Sequence, residues 1–210
     1  MRRRGLFLVL EGLDGAGTTT QAARLAAWLS ARGRKVHVTA EPSKGPVGAL
    51  VRQVLSRRVT GPGGADLDPR SLALLFAADR LDHWTAEIRP RLESGEDVVS
   101  DRYVLSSLAY QAVSTGDARW VAQVNALAPP ADLTVFLKVA PRVALRRRYA
   151  ASSEREIFEV PAFQRRVQAA YGRSLRRMRE AGERVVEIPG HLAIDEVERR
   201  VTAAVEDLLP

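Results

Sequence analysis

The stretch VLEGLDGAGTTTQ, residues 9 to 21, decides the fold, because it runs from an apolar segment through a glycine turn into a helix-like segment. This order is typical of a phosphate-binding loop, and the pattern G-x-x-x-x-G-K-[ST] is met at Gly12, Gly17 and Thr19. Position 18 departs from the pattern, since Thr18 stands where the pattern has lysine. The sequence therefore predicts a phosphate-binding loop without its usual cation.

Five short apolar segments alternate with helix-like segments along the rest of the chain. They are residues 6–10, 35–40, 97–100, 133–139 and 184–188. The first is apolar throughout, as expected of a strand that is buried on both faces of a parallel sheet. The alternation predicts an α/β fold with a five-stranded parallel sheet and helices on both faces.

The helix boundaries carry local signals. Gly33 is predicted to end the helix that follows the loop, and Asp68 to cap a long helix with Pro69 at its first position. That helix should continue to Pro90. The stretch AASSEREIFEVP, residues 150–161, has weak periodicity, so we interpret it as a mobile flap. The whole chain is predicted to be one domain, residues 1–210, with a lid at about residues 149–160.

Composition restricts the class of protein. The 210 residues are 46% hydrophobic and 27% charged, which is typical of a soluble globular domain. The basic and apolar start superficially imitates a signal peptide, but its short run leads straight into the glycine loop, so we interpret it as a first strand. The absence of cysteine is consistent with a cytoplasmic location. The net charge of +7 suits polyphosphates, and neither nucleic-acid motifs nor a membrane span are found.

Polar residues cluster at the predicted strand ends. They are residues 11–20, Glu41-Pro42 and Asp101-Arg102-Tyr103. Ligands of open parallel sheets bind beyond the carboxyl ends of the strands. Gly15 and Gly17 would let backbone N–H groups converge on phosphate oxygens at a helix N-terminus. Thr19 stands where a hydroxyl contacts Mg²⁺ in this motif.

Two further segments suggest an acceptor site. Phe76 and Arg80 are four residues apart, so they share one face of a helix, and a ring beside a guanidinium suits a flat base next to a phosphate. The alternative is a core phenylalanine beside a surface arginine. Asp101 and Arg102 follow a buried strand and need partners, either a ligand or each other in a structural ion pair.

Six segments in fixed order resemble the thymidylate kinases, P-loop nucleoside monophosphate kinases that phosphorylate dTMP. They are EGLDGAGTTTQ, EP with GPVGALVRQVL, LLFAADRLDHW, VVSDRYVLSSLAYQ, ADLTVFLKVAPRVALRRR and FQRRVQAAY. The resemblance covers almost the full length. It implies a P-loop NTPase-type sheet with a mobile lid, and the reaction of MgATP with dTMP to give ADP and dTDP.

The resemblance also implies roles for matching residues. The ATP phosphates would be held by Gly12, Leu13, Asp14, Gly15, Ala16, Gly17, Thr18, Thr19 and Thr20, with Mg²⁺ at Thr19. The residues for dTMP would be Phe76, Arg80, Arg102, Ser106, Ser107, Tyr110 and Gln111. Phe76 would stack on thymine and Tyr110 would crowd a ribose 2′-hydroxyl. The catalytic residues would be Asp14, Arg102, which bridges the two phosphates, and Arg155, which aligns with a lid arginine.

The chain departs from this family at several positions. Thr18 replaces the loop lysine, Ala40 an arginine and Lys138 an aspartate, and the order EREIFE leaves Glu156 and Glu159 without an assignable role. Arg155 or Lys44 could supply the missing charge. Two alternatives stay open: a kinase for another nucleoside or monophosphate, and a nucleotide-binding homologue with little or no turnover. The resemblance further implies a homodimer, and either the helix of Leu72 and Leu75 or the helices after Tyr103 could bury a face against a second subunit.

Overall fold

A computed structural model describes residues 4–151, 157–158 and 160–209. Its five strands are β1 (Phe7–Gly12), β2 (Val36–Ala40), β3 (Asp97–Asp101), β4 (Leu133–Lys138) and β5 (Val185–Pro189). All four neighbouring pairs are parallel, in the order β2-β3-β1-β4-β5. The predicted α/β class and five-stranded parallel sheet are confirmed. None of the described helices is long and apolar enough to cross a membrane.

Nine α-helices surround this sheet in the described part of the chain. They are α1 (Thr18–Ser30), α2 (Pro46–Leu55), α3 (Pro69–His83), α4 (Arg89–Glu93), α5 (Val104–Thr115), α6 (Ala118–Val124), α7 (Pro141–Ala151), α8 (Pro161–Glu180) and α9 (Ile194–Glu206). A short 3₁₀ turn covers Pro62–Gly64.

The predicted cap of α3 is confirmed. The Asp68 carboxylate accepts hydrogen bonds from the backbone N–H groups of Arg70 and Ser71, at 2.7 and 3.2 Å, and Pro69 occupies the first turn. The single long helix predicted up to Pro90 is instead interrupted by a π-helical turn at Trp84–Ile88. Pro90 has no N–H, and its ring would collide with a carbonyl one turn earlier, so the wider turn relieves the conflict.

Strand β1 is buried on both faces, as expected. Leu8 and Leu10 pack in the larger core cluster, which includes apolar residues of α1, α8 and α9. Phe7 and Val9 alternate with them and pack with Ile88 and other residues in a second cluster. The strands β2 and β3 lie on one side of β1, and β4 and β5 lie on the other. The order in which strands are added therefore reverses at β1. Such a position is where open parallel sheets bind ligands.

Candidate active site

Residues 12–20 run from the end of β1 through a tight turn into the first residues of α1 and form the phosphate loop. Gly15 and Gly17 have φ of +85° and +97°, which side chains rarely allow. A Cβ on Gly15 would lie 2.2 Å from the carbonyl oxygen of Ala144 in α7, so glycine also allows the loop to contact that helix. No acidic residue occupies the first turn of α1. The positive end of this helix therefore remains available for an anion.

Thr18 brings no charge to the loop, and its side chain is buried. Thr19 points to the neighbouring strand, where its hydroxyl donates to Oδ2 of Asp101. Oδ1 of Asp101 is also buried and has no hydrogen-bond partner within the described residues. Sequence reasoning identified Thr19 and missed Asp101 as its companion, although an acid that ends a buried strand was a usable signal.

Thr19 and Asp101 fit a magnesium site. Mg²⁺ prefers oxygen ligands and commonly uses only one or two protein groups together with substrate phosphates and water. The unpartnered oxygen of Asp101 supplies one such ligand beside the Thr19 hydroxyl. In the part of the chain that the structure describes, no three His, Cys, Asp or Glu side chains form a metal-binding group by themselves. The donor set therefore matches a cation that is held jointly by these two groups and by oxygens of a bound ligand.

Arg102 forms an ion pair with Asp14 of the loop and not with the adjacent Asp101. Its Nη2 lies 2.6 Å from Oδ1 of Asp14, so the considered Asp101–Arg102 ion pair is wrong. Its Nη1 donates to the Ser106 hydroxyl at 2.9 Å. Burial lowers the pKa of Arg102, but the groups around it, led by the Asp14 carboxylate and including Asp101, together outweigh burial, so the pKa lies well above its usual value. Arg102 is therefore a fixed cation at the edge of the phosphate loop.

Tyr110 fixes the other side of Asp14. Its hydroxyl donates to Oδ2 of Asp14 at 2.9 Å and accepts from the Asp14 backbone N–H at 3.2 Å. Burial raises the pKa of Tyr110, and the Asp14 charge raises it further. The ring therefore stays neutral and lies against the loop.

Glu11, which sequence analysis gave no specific role, is buried directly before the loop. One carboxylate oxygen accepts from the backbone N–H groups of Tyr103 and Ser106 at the start of α5, at 2.9 and 3.1 Å. The other accepts from the Ser106 hydroxyl at 2.6 Å. Burial raises the pKa of Glu11 from 4.5 to about 7, although Arg102 and Ser106 lower it. The carboxyl group thus titrates near neutral pH.

Replacing Glu11 with glutamine is expected to change how stability depends on pH. Because the folded state binds the Glu11 proton more tightly than the unfolded chain does, this contribution is complete below about pH 4.5 and is lost as pH rises towards 7. The wild-type free energy of unfolding should therefore fall by about 3 kcal/mol relative to Glu11→Gln between pH 4.5 and 8. Urea unfolding of both proteins across this range measures the difference. A constant difference would contradict the prediction.

All residues predicted for dTMP line one cleft of about 230 Å³ between the loop, β2, α3 and α5. They are Phe76, Arg80, Arg102, Ser106, Ser107, Tyr110 and Gln111, together with Asp14. The order β2-β3-β1 creates this cleft because it makes the three polar strand ends neighbours.

Arg80 occupies the floor of the cleft and is 1% exposed. Its guanidinium donates to Glu41 at 2.7 Å and to the Ser107 hydroxyl at 3.1 Å. It also donates to the side chain of Asn125 and the carbonyl of Tyr103. These contacts join the end of β2 to α5. Arg80 therefore positions the walls of the cleft as well as lining it.

Arg52 lines the same cleft, and sequence reasoning did not select it. It lies on α2, and its guanidinium donates to the carbonyl oxygens of Pro42 and Ser43 in the loop after β2. A lone arginine between the apolar residues Val51 and Val54 was the available signal. Three guanidinium groups, of Arg52, Arg80 and Arg102, thus border one cavity.

A second cavity of about 190 Å³ adjoins the other side of the phosphate loop. It is lined by Ala16, Gly17 and Thr20 of the loop, and by the segment after β5. Arg147 of α7 donates to the carbonyl oxygen of Gly190 at 2.8 Å on its wall. The loop therefore separates two cavities.

Part of the predicted lid lies outside the described residues. Arg155, Glu156 and Glu159 belong to that part. Ile157 and Phe158 are described and pack against the core, where the Phe158 ring stacks on Phe163 with centroids 5.1 Å apart. Phe158 also lines the cleft. Lys44 lies exposed in the loop after β2.

Comparisons with known proteins point to one family. The family model described as Thymidylate kinase matches residues 10–201. A probable thymidylate kinase of Pyrococcus horikoshii is 40% identical over 168 residues, covering 80% of this chain and 82% of that protein. A probable thymidylate kinase of Pyrobaculum calidifontis is 39% identical over 201 residues, covering 96% of each. A thymidylate kinase of Bifidobacterium longum is 56% identical over 108 residues, covering 51% and 52%.

The matched residues contain the phosphate loop, the cleft and the helices that enclose them. Identity near 40% extends over four fifths or more of the chain. This chain therefore belongs to the thymidylate kinase family of nucleoside monophosphate kinases.

Proposed function

We propose that the chain transfers the γ-phosphate of MgATP to dTMP, giving ADP and dTDP. The observation that carries this proposal is the Asp14–Arg102 ion pair, because it belongs at once to the phosphate loop and to the cleft. A donor phosphate in the loop and an acceptor phosphate in the cleft would meet there. Placing the two reactants together supplies much of the catalysis in phosphoryl transfer.

The acceptor half is supported by the groups that line the cleft. Arg52 and Arg102 offer the planar, charged donors that phosphate oxygens bind well. Phe76 offers a ring face on which thymine can stack. Tyr110 cannot move away from Asp14 without losing two hydrogen bonds, so its ring would crowd a ribose 2′-hydroxyl. These features favour a deoxynucleoside monophosphate.

The donor half is supported by the loop and the second cavity. The triphosphate would lie on the backbone N–H groups of the loop and at the start of α1. The adenine would occupy the cavity bordered by Arg147 and Gly190. Thr19 and Asp101 would hold Mg²⁺, which neutralises charge on the phosphates when bound.

The chemistry requires no general base. The attacking group is an oxygen of the dTMP phosphate, which is largely ionised at neutral pH because its second pKa is about 6. The side chains therefore have to align the phosphates and balance their charge. Arg102 would do this between donor and acceptor. With Thr18 in the loop, we further propose that Arg155 or Lys44 supplies the remaining cation.

Thr18 favours one other candidate function, a nucleotide-binding homologue without useful turnover. A coupled assay of ADP release separates the possibilities. It uses ATP with dTMP, dUMP, dCMP, dAMP, dGMP, ribothymidine monophosphate and thymidine as acceptors. The proposal expects the highest kcat/KM for dTMP and a large loss for the ribonucleotide. Preference for another acceptor would replace dTMP, and ATP binding by calorimetry without ADP release would support the inert homologue.

We also propose a homodimer. The helix of Leu72 and Leu75, α3, was expected to take part; Leu72 itself is buried in the core and Leu75 packs against it. The exposed leucines on α3 are Leu74, at 50%, and Leu81, at 37%, seven residues apart on one face. A second copy covering this face would remove them from water. We expect sedimentation to give a dimer mass for the wild type and a monomer mass for Leu74→Glu with Leu81→Glu; a wild-type monomer would refute this assembly.

A further inference from the structure

The hydroxyl group of Tyr171 lies at the base of the active site, although its helix, α8, starts far from the phosphate loop in the sequence. Tyr171 is 0% exposed. Its hydroxyl donates to the carbonyl oxygen of Gly12, the first residue of the loop pattern, at 3.0 Å. It also lies 3.0 Å from the Ser106 hydroxyl and 3.4 Å from Nη1 of Arg102. One phenol thus touches the loop, α5 and the bridging arginine.

The hydrogen bonds around Arg102 leave little freedom in how they are arranged. Nη2 is used by Asp14, and Nη1 donates to both Ser106 and Tyr171. The Ser106 proton goes to Glu11, so its oxygen can accept from Arg102. The Tyr171 proton goes to the Gly12 carbonyl at 3.0 Å or to Oε2 of Glu11 at 3.4 Å, so its oxygen can likewise accept from Arg102. Both hydroxyl oxygens can therefore accept from Arg102 while their protons go to other groups.

The backbone conformation at Arg102 determines the direction of its side chain. Its φ of +76° lies in the left-handed region, which is uncommon for a residue with a side chain. Its backbone N–H donates to the carbonyl oxygen of Leu10 at 2.8 Å. The main chain thus turns the Arg102 side chain towards the loop, and Asp14, Ser106 and Tyr171 fix where the guanidinium ends.

The Tyr171 ring is held by packing that does not depend on its hydroxyl. Its centroid lies 4.8 Å from that of Phe136, and it meets Tyr110 edge-on at 6.1 Å. Phenylalanine would keep both contacts. The hydroxyl can therefore be removed with little change to the core, and its own contribution can be measured.

We propose that Tyr171 is a positioning residue for phosphoryl transfer, whose hydroxyl fixes the Arg102 guanidinium relative to the carbonyl of Gly12. The inference rests on the proposed kinase function. Tyr171 acts through Arg102 and does not touch either substrate. Its effect should therefore fall on kcat, because the geometry of the bridging charge matters most in the transition state.

The experiment compares Tyr171→Phe with Ser174→Ala in steady-state assays with ATP and dTMP. Ser174 is the matched control because its buried hydroxyl donates to the Leu108 carbonyl at 3.2 Å, which also joins α8 to α5 but outside the site. Tyr171→Phe should lower kcat about tenfold, as expected for one hydrogen bond to a charged group, with KM values within about twofold. Ser174→Ala should keep the wild-type kcat.

A double-mutant cycle tests the route of the effect. In an Arg102→Ala background, Tyr171→Phe should change kcat by less than about twofold, since its target is gone. Full additivity of the two changes would overturn the proposal. So would a Tyr171→Phe enzyme with wild-type kcat, or equal losses of kcat in Tyr171→Phe and Ser174→Ala. A wild-type protein without turnover of any monophosphate would instead overturn the kinase function itself, and this inference with it.

Discussion

Replacing Arg102 with alanine is expected to lower kcat by about 10³–10⁵-fold, the range found for arginines that stabilise charge in phosphoryl transfer. The Arg102 guanidinium contacts the phosphate loop through Asp14 and also lines the cleft. The loss should fall mainly on kcat, because the charge between the phosphates changes most in the transition state. Steady-state kinetics with ATP and dTMP measure it.

Two variants make this result specific to Arg102. Arg102→Lys keeps the charge but loses the planar fork that contacts Asp14 and Ser106 together, so it should recover only part of the rate. Arg199→Ala removes an arginine that is 69% exposed and pairs with Glu196 on α9, and it should leave kcat unchanged. An Arg102→Ala enzyme within tenfold of the wild type would contradict the bridging role.

The second large effect is expected from removing the cation that supplies the charge of the missing loop lysine. Losing one well-aimed cation costs on the order of 10²–10³ in rate. Lys44→Ala, Arg155→Ala or both should therefore show a loss of this size in kcat. Lys44 follows Ser43, whose backbone N–H donates to the Asp79 carboxylate at 2.8 Å. The loop that carries this lysine is therefore anchored beside the cleft.

Restoring the lysine provides a sharper version of the same test. If the charge has moved, adding Thr18→Lys to the impaired variant should recover much of the lost rate, while Thr18→Lys alone should give little gain. Lys35→Ala is the matched control, because Lys35 is exposed at the opposite, amino-terminal end of β2. Near-normal rates in both Lys44→Ala and Arg155→Ala would end the idea of a displaced cation.

The sequence was sufficient for features that depend on neighbouring residues. Asp68 and Pro69 predicted the start of α3 correctly, because a cap uses only the side chain and the next three N–H groups. The π-helical turn before Pro90 was missed, although proline signalled a break. How a helix accommodates a break depends on what packs against it, and this information is not local.

Side-chain partners across the cleft could not be obtained from the sequence. Arg102 pairs with Asp14, 88 positions away, and not with adjacent Asp101. Arg80 resembled a ligand-binding residue, yet its guanidinium also joins Glu41, Ser107 and Asn125. Tyr171 gave no signal as a site residue, since an inward-facing tyrosine on an amphipathic helix has the same pattern as any core residue.

By itself the sequence determined the class of fold, the five strands and the position of the phosphate loop, because periodicity and glycine placement act over a few residues. Only the tertiary structure decided that β3 lies between β1 and β2, which makes three distant strand ends neighbours. That order also decided which charges pair in the cleft. Burial and hydrogen bonding are properties of groups that meet in space, and separations of 88 or 159 positions leave no local pattern.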